Sequence, residues 1–103
     1  MFRDKDKIAQ NLQILEWLKA ELVDSVGKLL KAMISGSERV ILETLSAILI
    51  TVYLLARRLG ISFTSLEAFS QQKILEQIKE NNEEEILKED LKELLDHMKS
   101  KKR

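Results

Sequence analysis

Apolar side chains recur three and four residues apart over residues 7–34, at Ile8, Leu12, Leu15, Leu18 or Leu22, Val26, Leu29 or Leu30, and Met33. That period predicts one long amphipathic helix. Ser35-Gly36-Ser37 interrupts it, and Ser35-x-x-Glu38 has the spacing of a capping box that would open a second helix over residues 38–59. Gly60 stands where a left-handed residue ends a helix, with Ile61 placed to fold back on it. Thr64-x-x-Glu67 is a second capping-box candidate, opening a third helix over residues 65–80, and Asn81-Asn82 breaks it. A fourth helix over residues 83–99 carries Ile86, Leu87, Leu91, Leu94, Leu95 and Met98 on one face. Its acids Glu83, Glu84 and Glu85 come first, and Lys99, Lys101, Lys102 and Arg103 come last, the order a helix dipole favours. The expected class is all-α, a bundle of about four helices. Residues 1–82 would form its core, and residues 83–103 a C-terminal amphipathic helix with a basic tail.

The second helix is apolar in nearly every direction, with Val40, Ile41, Leu42, Leu45, Ile48, Leu49, Ile50, Val52, Tyr53, Leu54 and Leu55 spread around it. Such a helix has to be covered on all sides. Three other helices of a short chain can hardly do this, so the bundle is expected to be completed by a second copy, as a homo-oligomer and most simply a dimer. A membrane span is the competing use of so apolar a helix. Its longest uncharged run, residues 44–56, is thirteen residues between Glu43 and Arg57-Arg58, whereas a span needs about 20. No membrane association is expected.

Composition narrows the chemistry. The chain has 103 residues, no Cys, no Pro, three Gly and one His. Disulfides, thiolate metal sites and thiol nucleophiles are excluded, and a turn-rich β fold is poorly supplied. Seventeen basic residues balance seventeen acidic ones, interleaved rather than gathered beside aromatics, so nucleic acid is not an expected partner. The charged start, Arg3-Asp4-Lys5-Asp6-Lys7, is unlike a signal peptide, and a cytoplasmic location is expected.

Two stretches carry a family resemblance. Glu21-Leu22-Val23-Asp24-Ser25-Val26-Gly27-Lys28-Leu29 precedes a short polar turn. After the turn come Leu42-Glu43-Thr44-Leu45-Ser46-Ala47-Ile48-Leu49-Ile50 and Tyr53-Leu54-Leu55-Ala56-Arg57-Arg58-Leu59-Gly60-Ile61. Over residues 8–72 the chain resembles the all-α MazG nucleotide pyrophosphohydrolase superfamily, and most closely its short MazG-like branch. Residues 53–61 are the most specific part. The resemblance implies a helical scaffold and, in the active members, hydrolysis of nucleoside triphosphates between the α- and β-phosphoryl groups. That reaction uses Mg²⁺ or Mn²⁺ held by Glu-x-x-Glu on one helix and Glu-x-x-Asp on the next. Residues three apart share a helix face, and a hard cation takes carboxylate oxygens.

Aligned on Gly27, the four ligand positions hold Ser25, Lys28, Thr44 and Ala47, none of them a carboxylate. An ammonium at position 28 would repel a cation; even two unit charges at about 4 Å repel by about 4 kcal/mol at an effective dielectric of 20. A second register, Glu21-x-x-Asp24 with Glu43-x-x-Ser46, keeps three carboxylates but displaces Gly27 and shifts the apolar pattern of the second helix. The Lys-x-x-Asn that the superfamily often carries after its Leu-Gly-Ile turn is replaced by Ser70-Gln71-Gln72-Lys73, and Lys79-x-x-Asn82 lies too far along. The leading expectation is a non-catalytic homo-oligomer that binds a nucleotide or a protein partner without a metal cofactor. The alternative is an active Mg²⁺- or Mn²⁺-dependent pyrophosphohydrolase using Glu21, Asp24 and Glu43 as metal and catalytic residues.

Other residues each have a functional and a structural reading. Arg57 and Arg58 could grip a phosphate, yet cations are favoured in any last helical turn. Trp17 and Tyr53 could stack on a base, but their helical registers suit burial better. Gly27 inside a helix costs about 1 kcal/mol relative to Ala, which invites a close approach of a helix or ligand as the reason. His97, alone among Lys and Glu, reads as a surface residue near a helix end.

Overall fold

With no Pro anywhere and Gly27 as the one glycine before the first turn, nothing in the opening sequence stops a helix once it has started. In the computed structural model, which describes residues 2–80 and 85–100, helix α1 runs the full distance, Phe2–Ser35. It begins five residues before the apolar pattern does. Helices α2 (Glu38–Arg58), α3 (Phe63–Glu80) and α4 (Glu85–Ser100) follow, and no strand occurs among the described residues. The break expected at Asn81-Asn82, the acids Glu83 and Glu84, and the tail Lys101, Lys102 and Arg103 lie outside the described residues.

Glycine and serine fix the helix ends. Gly36 takes φ +76° and its N–H donates to the Ala32 carbonyl at 2.9 Å, closing α1 with a left-handed residue. Gly60, at φ +83°, closes α2 with paired bonds from Gly60 N to Arg57 O (3.1 Å) and from Ile61 N to Ala56 O (2.8 Å). The N-terminal caps sit elsewhere than the capping boxes suggest. Ser35 is the last residue of α1, its hydroxyl donating to Ala32 O, and Ser37 caps α2 by accepting from Val40 N. Ser62 likewise caps α3, accepting from Ser65 N at 3.0 Å, so the helix starts at Phe63 rather than residue 65. In both turns the cap is the serine that follows the glycine, where a side-chain oxygen reaches the first free N–H groups.

The packing divides the chain into Met1–Ile61 and Ser62–Arg103. Each unit is a helical hairpin, α1 against α2 and α3 against α4. Packing therefore changes partner after Ile61, where α3 takes up with α4. In the second hairpin the buried apolar residues are Ile74 of α3 and Leu95 of α4.

The first hairpin meets along two seven-residue repeats. On α1 the seam is Leu18, Ser25 and Ala32, all buried, with Leu15, Leu22 and Leu29 half-buried between them. On α2 it is Thr44 and Thr51, buried, with Ile41, Ile48 and Leu55 half-buried. Small side chains at alternate seam positions bring the helices close, and a heptad keeps the seam facing its partner. The residue after each seam position lies about 100° further round its helix. Because the two helices run in opposite directions, these following residues emerge on one side of the hairpin. They are Glu16, Lys19, Val23, Val26, Leu30 and Met33 on α1, and Leu42, Leu45, Leu49, Val52 and Ala56 on α2. The preceding residues emerge on the other side, among them Glu21, Asp24, Lys28 and Glu43. Both sides present exposed apolar residues, Ile14, Trp17, Val40, Ile50 and Leu54 on the second, which is the charged side because Glu21, Asp24, Lys28 and Glu43 run along it. Within its hairpin α2 buries Thr44, Thr51 and Ala56, and its length and composition alone would suffice for a membrane span.

Candidate functional site

The four positions picked out by Gly27 converge on one level of the hairpin. Counting outward from the turn, Ser25 is ten residues before Ser35 and Ala47 nine after Glu38, while Lys28 is seven before and Thr44 six after. Ser25 and Thr44 sit inside the seam, 4% and 7% exposed, Ala47 is half-buried, and Lys28 is exposed on the charged side. The Thr44 hydroxyl shares its proton between Val40 O and Ile41 O, both at 3.0 Å, and Thr51 donates to Ala47 O at 2.7 Å. These buried hydroxyls satisfy their hydrogens within their own helix, as threonine does when it folds back on the preceding turn.

Lys28 Nζ lies 3.0 Å from Asp24 Oδ2, one turn earlier on α1. The hydrogen bond from the ammonium to that carboxylate, followed by the carboxylate's charge, raises Lys28 above the ordinary lysine value of 10.5; desolvation opposes this weakly and Glu21 adds attraction. Lys28 therefore keeps its positive charge throughout the neutral and mildly alkaline range. Sequence spacing suffices to find this pair, since oppositely charged residues four apart on a helix are neighbours.

The second register places its carboxylates on the charged side but not level with one another. Asp24 is eleven residues before Ser35 and Glu43 five after Glu38, an offset of six residues or about 9 Å along the helix axes. Asp24 is engaged by Lys28, and Glu43 Oε1 accepts from Arg39 Nε at 3.1 Å. Among the described residues no three His, Asp or Glu side chains gather in an arrangement that could hold a metal ion.

Arg57 and Arg58 are exposed in the last turn of α2, about 13 Å further along the hairpin than Ser25. Trp17 is 61% exposed, so its register did not lead to burial; Tyr53 is half-buried. The burial of Ala32 and Thr51 escaped the reading of large aliphatics, although their seven-residue distance from Ser25 and Thr44 is visible in the sequence. His97 is exposed in the last turn of α4.

Compared with known families, residues 8–101 match the model of the MazG-like family. The chain belongs to the MazG-like family. The match takes in both hairpins and extends well past the residues 8–72 that carry the resemblance by eye. No curated protein and no solved structure gives a significant match. For a MazG-like chain Gly27 is the expected landmark, yet a Cβ built there meets nothing within 4 Å. Gly27→Ala is accordingly expected to raise stability by about 0.5–1 kcal/mol, through the propensity difference and the restricted unfolded chain. Urea unfolding followed by circular dichroism measures it, and a loss would mean that something outside the hairpin packs on this glycine.

Proposed function

We propose that this MazG-like protein is a non-catalytic helical scaffold that acts as a homo-oligomer and binds a nucleotide or a protein partner. The observation that carries the reading is the fate of the four family positions. Ser25 and Thr44 are packed into the helix seam, Ala47 offers no oxygen, and Lys28 presents an ammonium tied to Asp24. This donor set does not suit Mg²⁺ or Mn²⁺, which need several oxygen ligands and favour carboxylates. The alternative cluster of Glu21, Asp24 and Glu43 is weakened as a metal site by its axial offset and by the cations that hold Asp24 and Glu43. The apolar surface of α2 that α1 leaves uncovered supports the oligomeric part. Arg57 and Arg58 remain the phosphate-binding candidates.

Pyrophosphate release from a panel of nucleoside triphosphates, with Mg²⁺ and with Mn²⁺, tests this. No turnover above background is expected, with or without Asp24→Asn and Glu43→Gln. Turnover abolished by those two substitutions would replace the scaffold by an enzyme using the altered carboxylates. Thermal shifts across the same nucleotides, metal-free, then report whether one of them is the ligand.

A further inference from the structure

We draw no further inference here: the strongest candidate, the surface patch of Ile14, Trp17 and Leu54 on the charged side of the α1–α2 hairpin, is an apolar face, and nothing in the structure shows what covers it.

Discussion

Ser25→Glu is expected to lower the free energy of unfolding by about 3 kcal/mol, and millimolar Mg²⁺ to recover none of it. Position 25 lies in the α1–α2 seam at 4% exposure, level with Ala47 and next to buried small residues. A carboxylate there must either give up water without a partner or push the helices apart, and both outcomes cost stability. Lys28, one turn on, is held by Asp24 and points to the charged side, so it gives the new group no direct ion pair without losing the one it has. A cation attracted by the introduced carboxylate would meet that same ammonium and no further carboxylate at positions 44 or 47. Ser25→Ala, which keeps the seam width, should change stability by no more than about 0.5 kcal/mol and separates the cost of charge from the loss of the hydroxyl. Urea titrations with and without MgCl₂ measure all three quantities. Recovery of stability by Mg²⁺ would show that a cation site can still be assembled at this level.

Leu18→Ala should cost about 3 kcal/mol. At 2% exposure Leu18 is the largest fully buried side chain of the hairpin, and the loss combines the transfer of its methyl groups with the cavity left behind. Leucine truncations span about 2–5 kcal/mol, and a two-helix layer can settle toward the gap more readily than a thick core, which places this one in the lower half. Ile34→Ala provides the contrast. Ile34 is 88% exposed and off both seams, and its truncation should stay within about 0.5 kcal/mol. Chemical unfolding of the two variants under identical conditions tests the pair, and equal losses would place the core elsewhere than the α1–α2 seam.

Periodicity and the punctuating residues made the helical elements legible. Gly36 and Gly60 were readable as helix ends because a left-handed residue with no Cβ closes a helix cheaply, and both take that conformation. The N-caps were harder, since each turn offers several hydroxyls and only the backbone decides which one reaches the free N–H groups; Ser37 and Ser62 win over Ser35 and Thr64. Burial was the least legible. Apolar periodicity favours the largest side chains, whereas the seam closes on Ser25, Ala32, Thr44 and Thr51 and turns Leu45, Leu49 and Leu30 outward. Trp17 likewise lies outside. For the candidate site, spacing within one helix left two registers open. The relative height of residues on two helices depends on where the chain turns, which pairs Ser25 with Ala47 and separates Asp24 from Glu43.

The turn at Gly36 also orders the events by which the first hairpin can form. Ala32 and Ile41 flank it at equal distance, so the first seam contact closes a loop of fewer than ten residues, with a small entropy loss. Every later contact, out to Leu18 with Leu55, is then made by extending an existing pair rather than by a new search. Zipping of this kind belongs to the fast, helical end of the range of folding rates. It also means that both outer sides of the hairpin are assembled from the turn outward. The proposed meeting of two copies would then be a separate step, set by concentration rather than by chain length.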